Sequence, residues 1–153
     1  MLTPDEQEEI KNKMRAILSK HPTVARFLLD YNDYVHLIDD LVDGDIKVDA
    51  ASILKLTNLS CAVFSNQFYS QYGHILQVVE FLINNTYGDS VIWEKSADWK
   101  LQHADVLRHS ALDMTMAVLR ILTDYDTVRE LSPILREYCY SAHLNDLFKY
   151  DNQ

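Results

Sequence analysis

The sequence contains little of what interrupts helices, since only three of its 153 residues are glycine and three are proline. Hydrophobic residues make up 48% of the chain, which is enough to bury a core in a chain of this length. We therefore expect one all-α domain over residues 1–153, an antiparallel bundle of five to six helices. The helix predicted over residues 48–72 is apolar on nearly all sides, so we expect it at the centre of the bundle.

Basic residues are also scarce and scattered: 14 Lys and Arg stand against 23 Asp and Glu, and the net charge is −9. Binding of nucleic acid by phosphate neutralisation needs a stripe of Lys and Arg, so no nucleic-acid partner is expected. No charged residue occurs between Leu56 and Val79, but the polar residues within this stretch argue against a lipid-exposed helix. We expect no membrane partner, and a helix buried inside the bundle.

The two cysteines, Cys61 and Cys139, lack the spacing of a zinc site. The Glu-x-x-His pattern of ferritin-like di-iron proteins is missing as well. Free thiols are typical of a reducing compartment, and the N-terminal residues do not resemble a signal peptide. These features predict a cytoplasmic protein, in the cytoplasm of a bacterial host if a phage encodes it.

An acidic stretch, residues 38–45 (IDDLVDGD), ends the helix predicted from His21–Pro22 to about Asp43. Carboxylates at a helix C-terminus oppose the macrodipole, and a bound cation would relieve that repulsion. Asp39, Asp40 and Asp43 are therefore candidate ligands of Mg²⁺ or Mn²⁺, which prefer oxygen ligands. The alternative interpretation is a solvated polar face.

The helix predicted over residues 74–96 changes character halfway along. The apolar residues on its predicted inward face are Ile75, Val78, Val79, Leu82 and Ile83. At the same helical period, that face continues with Asn85, Thr86, Asp89, Ser90 and Trp93. A buried polar group without a partner costs about 1–3 kcal/mol, so three interpretations are open. Either the second half of this helix protrudes from the bundle, or its polar groups form hydrogen bonds with one another, or these groups line a water-filled cleft.

Arg108 falls on the inward face of the helix predicted over residues 98–124. A buried guanidinium requires an anion nearby. That anion is either a structural carboxylate such as Asp105 or Asp89, or a phosphate of a ligand, which an arginine binds through two parallel hydrogen bonds.

The sequence Asp39-Asp40-Leu41-Val42-Asp43 resembles the DDxxD motif of class I terpenoid synthases and prenyl diphosphate synthases. Residues 85–94 resemble the second metal motif of that family, with Thr86, Ser90 and Glu94 at the ligand positions. The resemblance implies Mg²⁺ bound by both motifs, a diphosphate substrate, and a diphosphate-sensing role for Arg108. The chain is much shorter than members of that family and lacks the Asn-Asp pair that begins their second motif.

Three segments together also resemble small helical proteins of tailed bacteriophages, a resemblance that implies no activity. They are residues 38–45, the Asn85…Asp89-Ser90…Glu94 pattern, and Ala104-Asp105-Val106-Leu107-Arg108. All-α nucleotide pyrophosphatases offer a third comparison, but of their paired acidic motifs only Glu6-x-x-Glu9 is present.

Two functions from different classes follow. The first is a Mg²⁺- or Mn²⁺-dependent hydrolase or lyase acting on a phosphate-containing small molecule, either a diphosphate or a nucleotide. Its predicted catalytic residues are Arg108 and Asp89, and its predicted metal ligands are Asp39, Asp40, Asp43, Asn85, Thr86, Asp89, Ser90 and Glu94. The second is a non-enzymatic phage structural or host-interaction protein whose polar interior is structural. Either protein could form a homo-oligomer.

Overall fold

Helices account for nearly all of the regular structure in the computed structural model, which describes residues 1–149. Within these residues there are seven α-helices and two short 3₁₀ helices, and no strand. The α-helices are α1 (Pro4–Leu18), α2 (Pro22–Asp43), α3 (Ala50–Phe64), α4 (Gln67–Trp93), α5 (Trp99–Arg108), α6 (Leu112–Leu122) and α7 (Tyr125–Ser141). The 3₁₀ helices are His109–Ala111 and Leu144–Leu147. The prediction of an all-α fold is confirmed.

The chain divides into two compact units. The N-terminal unit comprises Thr3–Tyr72 together with residues 143–149, and the C-terminal unit comprises Met1–Leu2 and Gly73–Ala142. Helix α4 begins in the N-terminal unit and continues into the C-terminal unit. Among residues 1–149, no helix is both long and apolar enough to cross a bilayer.

Aromatic rings on α2 and the start of α4 form the core of the N-terminal unit. The ring of Phe27 lies 5.8 Å from those of Phe68 and Tyr69, and 6.0 Å from that of Tyr31. All four side chains are buried. The tilted arrangements are those that aromatic quadrupoles favour, so this cluster ties the two helices together.

The prediction of one central helix over residues 48–72 is wrong. Helix α3 ends at Phe64, and the Oδ1 atom of Asn66 accepts a hydrogen bond of 2.8 Å from the backbone N–H of Phe68 in the first turn of α4. Asparagine in this role begins a new helix instead of continuing the old one. Val63 is the only fully buried residue of α3, while Ile53 and Leu54 are exposed. This helix lies on the surface of its unit.

Helix α4 buries one narrow stripe within the C-terminal unit. Leu76, Ile83 and Ser90 are buried and recur every seven residues. The opposite face is exposed and carries four large apolar side chains, Ile75, Val78, Phe81 and Leu82. We call these four residues the α4 apolar surface. Helical geometry places residues three and four apart on one side of a helix, so the four side chains form a continuous patch.

The two faces of α4 are expected to differ sharply in their contribution to stability. Ile83 is 3% exposed and Leu82 is 57% exposed. Replacing Ile83 with alanine should lower the free energy of unfolding by about 2–4 kcal/mol, because the change removes buried contacts and leaves a cavity. In dilute protein, Leu82→Ala should lower the free energy of unfolding by less than about 1 kcal/mol. Urea denaturation of both variants measures the difference, and a larger loss for Leu82→Ala would contradict this orientation of α4.

Candidate functional site

The acidic stretch forms the last turn of α2 and the cap that ends it. Gly44 adopts a left-handed conformation with φ of 79°, and its backbone N–H donates to the carbonyl of Asp40. The N–H of Asp45 donates to the same carbonyl at 2.9 Å. A glycine in this conformation is the usual way to satisfy the last carbonyls of a helix. The DGD sequence therefore has a structural role at the end of α2, whatever else its acids do.

The carboxylates of this stretch differ in exposure. Asp39 and Asp40 are half-buried, whereas Asp43 and Asp45 are exposed. The last turn of α2 contains no basic residue, and its carboxylates lie at the negative end of the helix dipole. Binding of a cation by this segment stays a prediction.

The predicted ligands on and just after α4 do not share one environment. Asn85, Asp89 and Glu94 are exposed, Thr86 is half-buried, and Ser90 is fully buried. The Ser90 hydroxyl donates to the Tyr87 carbonyl at 2.6 Å, so a partner within its own helix satisfies it.

The inward face predicted for the first half of this helix is wrong for three of its five residues, while Ile83 is buried as predicted and Val79 is half-buried. Ile75, Val78 and Leu82 are exposed, whereas Leu76, which was not assigned to that face, is fully buried. The apparent change from an apolar to a polar inward face arises because the predicted face is rotated away from the buried stripe. Asn85 and Asp89 continue the exposed side, where polar groups need no buried partner.

Arg108 has a carboxylate partner. Its Nη2 atom donates to Oε2 of Glu94 at 2.6 Å, and its guanidinium carbon lies 5.8 Å from the centre of the Tyr87 ring. The Arg108 side chain is 16% exposed and that of Glu94 is 40% exposed. Such a short charge-assisted bond is among the stronger hydrogen bonds in proteins. A guanidinium predicted to sense diphosphate and a carboxylate predicted to bind metal therefore bind each other.

The carboxylates that the sequence offered as partners of Arg108 have other surroundings. Asp105 lies 3.8 Å from the Nδ1 atom of His109, one helical turn later. Asp89 is exposed on α4. The requirement for an anion at Arg108 is thus met, but by Glu94, which stands just beyond the end of α4.

The two predicted metal motifs belong to different units. Asp39, Asp40 and Asp43 lie in the N-terminal unit, and residues 85–94 lie in the C-terminal unit. Within residues 1–149, no three His, Cys, Asp or Glu side chains form a group that could hold a metal ion. A magnesium site that combines aspartates of α2 with polar groups of α4 stays a prediction.

The α4 apolar surface was not predicted, although the sequence contains a signal for it. The stretch from Leu56 to Val79 carries no charge, and we expected it to be buried for that reason. In the structure much of it is exposed, including Thr57, Cys61, Gln71 and Val78. An uncharged stretch is equally typical of a helix face that meets another protein.

No protein-family model, curated protein or solved structure matches this chain. The resemblances to terpenoid synthases and to phage proteins therefore stay predictions.

The magnesium hypothesis predicts a specific thermal shift. At a Mg²⁺ concentration a hundred times the dissociation constant, binding would stabilise the protein by about 2.7 kcal/mol. For a chain of this size, that corresponds to an increase in Tm of about 5–10 °C. Asp39→Asn/Asp43→Asn should abolish the increase.

The control variant is Asp126→Asn/Glu130→Gln, which removes two acids with the same spacing on α7 and should retain the full shift. Differential scanning calorimetry with Mg²⁺ and with EDTA measures all three proteins. An equal shift in wild type and Asp39→Asn/Asp43→Asn, or no shift in wild type, contradicts the predicted site.

Proposed function

We propose that this chain is a non-catalytic interaction protein and that it associates with another protein chain through the α4 apolar surface. The observation that supports this proposal most strongly is the exposure of Ile75, Val78, Phe81 and Leu82 on one face of one helix. Scattered apolar residues are normal on protein surfaces, whereas a contiguous apolar patch marks an interaction site.

The composition of the patch supports the same proposal. Phenylalanine is enriched at the centres of protein interfaces, and charged residues are depleted there. No Asp, Glu, Lys or Arg lies among the exposed positions of α4 from His74 to Asn85: of the two ionisable residues in this segment, Glu80 is half-buried and His74 is exposed. In a chain with a net charge of −9, such a neutral apolar face is unusual and favours contact with protein over contact with water.

The pairing of Arg108 with Glu94 favours a structural role for the polar groups near the end of α4. The side chain of Arg108 reaches back from α5 and binds a carboxylate that follows α4. This contact holds the connection between the two helices in place. In the enzyme hypothesis, the same guanidinium would have to exchange Glu94 for a phosphate.

The state of the cysteines supports a cytoplasmic location. Cys61 and Cys139 are both free, and burial raises the pKa of the Cys139 thiol to about 11. A thiol with a raised pKa forms little thiolate at neutral pH and reacts slowly. Free thiols are typical of proteins in reducing compartments. A phage protein working in the cytoplasm of its host fits both observations.

Site-specific photo-crosslinking tests the proposed function. A photoreactive phenylalanine at position 78 should form a discrete covalent adduct with another chain in the cells that express the protein. The same residue at position 106 is the control, because Val78 and Val106 are 58% and 60% exposed and lie in the same unit. The adduct should form at position 78 with or without EDTA.

Equal adduct yields at the two positions, or no adduct at position 78, would overturn the proposal. Failure of the adduct to survive EDTA would mean that the association depends on a metal ion and is not the apolar contact proposed here.

A further inference from the structure

We infer that the partner of the α4 apolar surface is a second copy of this chain, bound with its α4 antiparallel to the first. The inference rests on the proposed function, because it names the partner of the same surface. In this pair Val78 of one copy lies opposite Leu82 of the other, and the two-fold axis passes near residue 80. Such an interface is closed and uses the same patch on both copies.

The neutrality of the α4 apolar surface allows a second copy to bind there despite the negative charge of the chain. Each chain has a net charge of −9, so two copies repel each other over most of their surfaces. The four side chains of the α4 apolar surface are uncharged, and no Asp, Glu, Lys or Arg is exposed on α4 from His74 to Asn85. Because it is neutral, two copies can meet there without bringing carboxylates together at the centre of the contact.

The spacing of the apolar residues suits the pairing of two helices. Ile75, Val78 and Leu82 are separated by three and then four residues, which is the seam spacing of a coiled coil. Phe81 flanks this seam and is also exposed. With the axis near residue 80, the contact of Val78 with Leu82 of the other copy occurs twice, and the two Phe81 rings approach the axis from opposite copies.

The position of Asp89 determines the direction of the pairing. Asp89 continues the same seam, seven residues after Leu82, and is exposed. In a parallel pair, each Asp89 would face Asp89 of the other copy, and like charges in contact are destabilising. In the antiparallel pair, each Asp89 lies about 13 Å from the axis at an outer end of the contact, given a rise of about 1.5 Å per residue.

The available area predicts a reversible dimer. Ile75, Val78 and Leu82 are each roughly half exposed and Phe81 is about two-thirds exposed, so together they present about 270 Å² of apolar area per copy. Two copies would bury about 550 Å² of apolar area, and apolar atoms make up about 65% of homodimer interfaces. The total of about 850 Å² lies in the range of weak, reversible complexes, for which we expect a dissociation constant on the order of 10–100 µM.

Sedimentation equilibrium of the purified chain tests the inference. The average mass of the wild type should rise from 17.8 kDa towards twice that value as the concentration passes through the micromolar range. In Val78→Gln/Leu82→Gln, the dissociation constant should increase at least tenfold. The matched control is Leu101→Gln/Val106→Gln, which replaces two exposed apolar residues of α5 and should dimerise as the wild type does.

Disulfide trapping tests the direction of the pair, in a background of Cys61→Ser and Cys139→Ala. A mixture of the Val78→Cys and Leu82→Cys proteins should form a disulfide-linked heterodimer faster than either protein links to itself. Faster self-linking of the separate proteins would indicate a parallel pair and overturn the antiparallel arrangement.

The outcomes separate this inference from the proposed function. A wild type that stays monomeric at all concentrations overturns the second copy as partner. If photo-crosslinking at position 78 then still gives an adduct whose mass differs from two chains, the proposed function survives with a different partner. If the crosslinker reacts only within its own chain, the surface is covered internally and both proposals fail.

Discussion

The orientation of α4 about its own axis is the constraint on which the account of this protein depends. Leu76, Ile83 and Ser90 are buried at intervals of seven residues, and this stripe turns the four residues of the α4 apolar surface outward. Burial of one face is what stabilises a helix in a folded protein. One residue corresponds to a turn of about 100° around the helix axis. If α4 were rotated by that angle, Ile75 and Leu82 would be buried in place of Leu76 and Ile83. The α4 apolar surface would then not exist.

The ends of several helices could be predicted because local chemistry determines them. Pro22 at the first position and Gly44 after the last position define α2, and the structure places its ends there. The helix predicted from residue 98 begins there, since the carboxylate of Asp98 accepts a hydrogen bond from the N–H of Lys100, although α5 ends at Arg108 and not near residue 124. These signals involve residues close in sequence, so the chain alone contains them.

The burial of helix faces could not be predicted in the same way. Apolar residues occupy positions 75, 76, 78, 79 and 81–83, so both sides of α4 are apolar and the periodicity does not select the inner one. The uncharged stretch between Leu56 and Val79 led to a wrong prediction of burial. A lack of charge indicates that a helix face contacts protein, but that protein can be the chain's own core or another chain. The break at Asn66 was missed because a single amide caps α4 within a long apolar stretch.

For the candidate site, the sequence predicts what a single residue needs but not which residue it contacts. A guanidinium with little exposure needs an anion, and Arg108 has one. The identity of the partner, Glu94, depends on how the chain turns between α4 and α5 over the 14 residues that separate the pair, which spacing rules for one helix do not describe. The α4 apolar surface raises the opposite problem: its residues are close in sequence and easily recognised, and only their exposure distinguishes them from residues of a core.

The most direct test of this account is fluorine NMR of the protein labelled at its five phenylalanines, with Phe81→Leu used to assign one resonance. We expect the Phe81 resonance to shift continuously as the protein is diluted through the micromolar range, because dilution returns this ring from a protein contact to water. The resonance of Phe148, which is fully buried, should not move. A Phe81 resonance that is unchanged by dilution would contradict the claim that the exposed face of α4 is where this protein associates with itself.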